Sequence, residues 1–209
     1  MMTEPVHILH PSLWESLIKA DPANVCKRSR ARFDEATKSY LLDFLQERYR
    51  IEPNSQAIES VAGPIPEGGP SIDLQVILIT YLLSAQEKPL VDKLVAGSSL
   101  RGGKSFFQGS HSFPLDPLIE QYGRDTQGFL NRGLSLGGVQ EDYGDISIRF
   151  PALPRVPVVM ILWGADEEFP SRLSVLFDTS IDQQLSLDAI YGLVTEICHR
   201  MTAKGRMVV

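Results

Sequence analysis

Between Asp145 and Asp178 the chain reads DISIRFPALPRVPVVMILWGADEEFPSRLSVLFD, three apolar runs cut by turn residues. Ile146 and Ile148 alternate with polar neighbours, residues 156–163 are almost continuously apolar, and Leu173, Val175 and Phe177 alternate again. A period of two, broken by Pro and Gly, predicts three consecutive strands joined by short turns as an antiparallel meander. Beyond it Leu187, Ile190, Tyr191, Val194, Ile197, Cys198 and Met201 recur at helical spacing. That stripe predicts a closing helix packed on the sheet.

The earlier chain is read the same way. An N-terminal helical segment spans about 8–35, with Leu13, Trp14, Leu17 and Ile18 at helical spacing and a second short helix after Asp21-Pro22. Tyr40, Leu42 and Phe44 alternate, then Tyr49 and Ile51, then Ile58, which predicts two or three short antiparallel strands. VAGPIPEGGPS, Val61 to Ser71, is a loop by composition and a possible domain seam. Ser71 then caps an apolar helix, IDLQVILITYLLSAQ, which belongs at the centre of the fold. PLVDKLV reads as a strand. Asp116 is expected to cap a short helix ending at Gly123, and a further helix from Asp125 should turn Phe129, Leu130 and Leu134 inward. The fold class is α+β: an antiparallel sheet with a C-terminal meander packed against several helices, residues 1–209 forming a single domain.

Charge and cysteine usage exclude several functions. A net charge of −6 supplies no basic footprint for a phosphate backbone, so nucleic acid is not an expected partner. The one basic cluster, Lys27 to Arg32, runs straight into Asp34 and Glu35 and reads as a solvated face. The longest apolar run, Ile77 to Ala85, is too short to span a bilayer, and the N-terminus lacks the apolar stretch of a secretory signal; a cytoplasmic location is expected. Cys26 and Cys198 stand far apart, so no iron–sulfur or structural zinc motif is encoded.

Several stretches together, FFQGSHSFPLDPLIEQYGRDTQGFL, DYGDISIRF, ALPRVPVVMILWGADEEFPSRLSVLFD and the closing helix, carry a resemblance. The sequence resembles the domain-of-unknown-function family 3786, a set of bacterial and archaeal proteins frequent in anaerobes, from about Lys38 onward and only weakly at the N-terminal helix. The resemblance implies no role for any one residue. It does imply anaerobic cofactor or redox metabolism, because some longer relatives carry a cysteine-rich, iron–sulfur-type segment. This chain lacks that segment.

Two stretches hold candidate sites. RGGKSFFQGSH offers Arg101 and Lys104 as cations, Ser105 as a hydroxyl, Phe107 as a ring and His111 as an imidazole, on a backbone that glycines make permissive. Those are the parts of a pocket for an anionic or planar molecule, although the glycine spacing is not that of a P-loop. His111, as an imidazole, is also a candidate general acid or base. The second stretch is the turn after the middle strand of the meander, where Asp166, Glu167 and Glu168 lie between Trp163 and Phe169. Carboxylates there suit a hard cation, but they equally suit a solvated turn pinned by its two aromatic residues. At about 3.3 Å per residue, Asp178 lies roughly 23 Å from Ser171 along the next strand and cannot join them. No metal site is assigned.

These features support three functional readings. The first is a cytoplasmic binding or accessory protein that uses Arg101 to His111 to hold a small molecule or cofactor or to dock a protein partner. The second is a small enzyme in which His111 works with Arg101, Lys104 and an acid from Asp142, Asp145 or Asp178, and it requires those side chains to converge in a pocket. The third is an interaction module or homodimer, and it requires an exposed apolar patch around Trp163 and Phe169. The sequence leaves the ligand and the oligomeric state open.

Overall fold

Helix α1 (Pro11–Lys19) begins on His10, whose ring accepts from Ser12 N, and α2 (Pro22–Ser29) begins on Asp21, whose carboxylate accepts from Asn24 N. Each carries proline in its first turn, where an N–H would have no intrahelical partner. The computed structural model in which these helices are seen describes residues 9–61 and 70–203. Arg30 adopts a left-handed conformation, φ 60°, and ends α2. The helical segment expected to reach residue 35 therefore stops at Ser29. The chain continues instead as a strand, β1 (Arg32–Asp34), because Arg32, Phe33 and Asp34 pair with Leu41, Tyr40 and Ser39.

Strands β2 (Ser39–Phe44), β3 (Glu47–Glu52) and β4 (Ala57–Ser60) complete a four-stranded antiparallel sheet in sequence order. Tyr40, Leu42 and Phe44 of β2 are buried, as are Tyr49 and Ile51 of β3, so the alternation read from the sequence is the alternation of the sheet's two faces. The expected break at 61–71 lies for the most part outside the described residues. Helix α3 (Ile72–Ser84) then begins with Ser71 Oγ accepting from Leu74 N at 3.1 Å and buries Leu74, Ile77, Leu78, Ile79, Tyr81 and Leu82.

Strand β5 (Leu94–Ala96) leads through a 3₁₀ turn into the one-turn helix α4 (Gly103–Phe106). Helices α5 (Asp116–Tyr122) and α6 (Thr126–Ser135) come after it. Next are β6 (Val139–Glu141), β7 (Ile146–Leu153), β8 (Val156–Trp163) and β9 (Arg172–Asp178), and then α7 (Leu187–Thr202). The second sheet has the order β5-β9-β8-β7-β6 and is antiparallel throughout. The meander read from the sequence is its centre. With helices and two antiparallel sheets, the fold is α+β.

Two local expectations are corrected. Asp116 is the first residue of α5 rather than its cap, and Leu115 at the cap position makes no side-chain hydrogen bond. Leu134 is exposed, not inward. Gly133, one residue before it, faces the sheet so closely that a Cβ there would sit 2.2 Å from Ile148 Cδ1, which turns Leu134 to solvent.

The two sheets and the helices share a continuous buried core. Helices α3 and α7 pack together, α1 and α2 lie on α3, and Leu45 N donates to Ala152 O at 3.1 Å between the sheets. Each buried Leu, Ile or Phe in this core contributes about 1.5–3 kcal/mol of transfer free energy. The ends of the helices are tied in by guanidinium groups. Arg28 donates to the carbonyls of Leu83 and Ala85 at the end of α3, and the buried Arg155 donates to Arg28 O at 2.6 Å at the end of α2. The basic cluster is thus partly a structural cap, since cations suit the free carbonyls of a helix C-terminus. Among the described residues no helix is long and apolar enough to cross a membrane.

Candidate functional site

The Arg101–His111 loop is held down by close backbone approach. A Cβ on Gly103 would stand 2.0 Å from Gly97 O, and Gly102 takes φ +78°, so glycine is required at both positions for the chain to turn into α4. Phe107 lies over Gly97 and stacks tilted on Phe113 at 4.7 Å, and Phe113 reaches the buried Phe177 of β9 at 5.9 Å. This aromatic ladder roots the loop in the second sheet.

On the outer side the His111 ring lies 4.6 Å from Phe106 and meets Tyr191 of α7 edge-on at 5.6 Å. Tyr191 Oη also donates to Ser110 O at 3.5 Å. Arg101 and Lys104 are exposed on the same turn, and among the described residues neither pairs with a carboxylate. Ser105 Oγ donates to Gly102 O at 3.1 Å. The structure thus places Arg101, Lys104 and His111 together on one exposed loop, keeps Phe107 beneath it, and ties the Ser105 hydroxyl to the loop's own backbone.

Of the acids proposed to complete a catalytic set, Asp178 and Asp145 are engaged elsewhere. Asp178 is buried at the end of β9, where its carboxylate accepts from Val91 N, Asp92 N, Ser180 N and Ser180 Oγ. Burial alone would raise its pKa, but these hydrogen bonds outweigh burial and hold it below the usual carboxylate range. Asp145 accepts from Gly164 N at 2.9 Å, and Asp142 is exposed.

The acidic turn joins β8 to β9, as expected. Asp166 Oδ1 accepts from the N–H groups of Glu168 and Phe169, which folds the carboxylate back onto its own turn. Trp163 is half-buried beneath Arg172, whose guanidinium carbon lies 4.1 Å from the ring centroid. Phe169, by contrast, is 66% exposed. It borders a cleft of about 540 Å³ between this turn and the junction of α5 and α6, with Glu120, Arg124 and Asp125 opposite. Among the described residues no three His, Cys, Asp or Glu side chains gather as a metal ion would need.

Sequence reasoning missed a polar network around Arg200. Its guanidinium donates to Glu196 Oε1 and to Glu47 Oε2, each at 2.8 Å, and to Tyr49 Oη at 2.7 Å. Tyr49 Oη in turn donates to Glu47, and Ser71 Oγ donates to Glu196 Oε2 at 2.9 Å. Burial would raise the Glu47 pKa, but the bonds from Tyr49 and Arg200 lower it below its ordinary value. Only the Glu196 and Arg200 pair, four residues apart, was visible as a helical ion pair. The long-range members had no local signal.

A family model described as Domain of unknown function (DUF3786) matches residues 21–200, most of the chain. The chain belongs to that family. The DUF3786 match begins at Asp21, the cap of α2, and ends at Arg200, so it takes in the loop, the acidic turn and the Arg200 network while α1 lies before it. No curated protein matches the chain, and no solved structure does.

Proposed function

We propose that this DUF3786 chain is a binding or accessory protein, and that the Arg101–His111 loop is where it holds an anionic, planar small molecule or cofactor. The single observation that carries the reading is the His111 ring seated against Phe106 and Tyr191, with Arg101 and Lys104, unpaired among the described residues, on the same turn. Aromatic and imidazole faces suit a flat group, and the cations suit its charge. The reading is non-catalytic because the loop is exposed and neither Asp178 nor Asp145 is offered to His111. A cytoplasmic setting, expected from the sequence, and an anaerobic one, implied by the family resemblance, are part of the proposal. The test is native mass spectrometry of the protein purified anaerobically from its own host, with an absorption spectrum of the same sample. A bound species lost in His111→Ala and in Lys104→Ala supports the reading; a clean apo mass without a chromophore overturns it.

A second reading, docking of a protein partner or a second copy, is favoured by the exposure of Phe169 beside its cleft. It predicts that Phe169→Ser abolishes a concentration-dependent assembly seen by sedimentation, and a monomer at all concentrations removes the homodimer form of it.

A further inference from the structure

A second cleft, of about 510 Å³, opens between the corner joining α1 to α2 and the first sheet. None of its lining residues belongs to the Arg101–His111 loop. Leu17, Ile18 and Pro22 form the helical wall, Phe33, Tyr40 and Pro53 form the sheet wall, and Glu35, Lys38 and Asn54 give the cleft a polar side. Phe33 and Tyr40 are cross-strand partners whose rings meet at 4.8 Å, and Ile18 is 48% exposed on the opposite side.

Tyr40 departs from the other buried tyrosines. Tyr81 Oη donates to Ser29 O at 2.9 Å, Tyr122 Oη to Met201 O at 2.8 Å, and Tyr49 Oη to Glu47. Tyr40 is only 1% exposed, yet among the described residues its hydroxyl takes part in no hydrogen bond. A buried hydroxyl without a partner costs about 1–3 kcal/mol. Among the described residues every fully sealed side-chain oxygen or nitrogen has a partner, so the Tyr40 oxygen is not sealed, and Tyr40 lines the cleft. Burial, and then the nearby Cys26 and Asp21, push its phenol up to about 12, which keeps it a neutral donor.

We propose that this cleft binds a neutral, mainly apolar small molecule through a carbonyl or ether oxygen that accepts a hydrogen bond from Tyr40 Oη. The apolar part of the walls takes the body of the molecule and the Tyr40 hydroxyl orients it. An anion is disfavoured. The cation at the cleft, Lys38, is already held by Glu35 at 2.6 Å; near Tyr40 the charge of Asp21 is opposed by Arg28, whose guanidinium donates to Asn24 and to the carbonyls of Leu83 and Ala85. This site stands independently of the Arg101–His111 loop.

The test is ligand-observed NMR titration of the full chain with three probes: acetophenone, ethylbenzene and benzoate. Acetophenone is expected to bind, with Tyr40→Phe weakening it about tenfold, the worth of one hydrogen bond, and leaving ethylbenzene unchanged. Ile18→Trp, at an exposed position, should fill the cleft and remove both, while Lys104→Ala should change neither. The proposal is overturned by benzoate binding more tightly than acetophenone, by equal acetophenone binding in wild type and Tyr40→Phe, or by no probe binding in the millimolar range. Persistence of binding in Ile18→Trp also overturns it by placing the probe elsewhere.

Discussion

Arg200 Nη1 lies 2.8 Å from Glu47 Oε2, joining the last helix to the first sheet across most of the chain. The same guanidinium holds Glu196, whose side chain is 9% exposed, so removing it would strand a buried carboxylate.

Arg200→Ala is expected to destabilise the protein by about 3 kcal/mol, the scale for breaking a buried pair from one side. Glu47→Gln should cost about 1 kcal/mol or less, because that side chain is 44% exposed and water screens it. Urea unfolding of both variants checks the ratio; equal losses would mean that Glu47, not Glu196, dominates the network.

Acid should loosen the fold through two carboxylates. Glu47 and Asp178 have folded pKa values below their ordinary 4.5 and 3.8, so over that interval the unfolded state binds more protons than the native state. Their contribution is full above those ordinary values and is lost as pH falls through the lower, folded ones. Asp178→Asn, which replaces an acceptor by a donor against backbone N–H groups, should cost about 2–3 kcal/mol and flatten this part of the stability profile.

Gly103→Ala is expected to unseat the Arg101–His111 loop. Its Cβ would collide with the Gly97 carbonyl, a backbone atom that cannot rotate away, and overpacking of this kind costs about 1–3 kcal/mol. Protease cleavage near Phe106, faster than in wild type, is the readout; unchanged protection would show that the backbone shifts freely.

Cys198 should resist alkylation until the protein unfolds, since burial pushes its thiol up to about 12. Cys26, half-buried and raised by burial and then by Asp21, should label slowly in the native state. Mass spectrometry after iodoacetamide treatment at pH 8, with and without urea, distinguishes the two.

What the sequence made legible is what repeats within a short window. The alternation at Tyr40, Leu42 and Phe44 and the stripe of α7 each fix which face is buried, and Ser71 marks the start of α3. Residues whose role depends on distant partners were not legible. Asp178 was read as a candidate acid for His111 and is a buried brace for residues 91 and 92; Arg155 carried no local signal and is the cap of α2. Of the candidate site, the grouping of Arg101, Lys104 and His111 on one loop came from adjacency, but the Tyr191 face that completes it comes from another element. The Tyr40 cleft had no signature, because an unsatisfied hydroxyl becomes visible only when its surroundings are known.

The guanidinium caps also set an order of events during synthesis. Helix α2 leaves the ribosome early, but the group that satisfies its terminal carbonyl belongs to Arg155, and the first sheet waits longer still for Arg200. A nascent chain halted before residue 155 would hold α2 with an open end and a sheet without its latch, so the N-terminal half completes its native contacts only after the second half has been made.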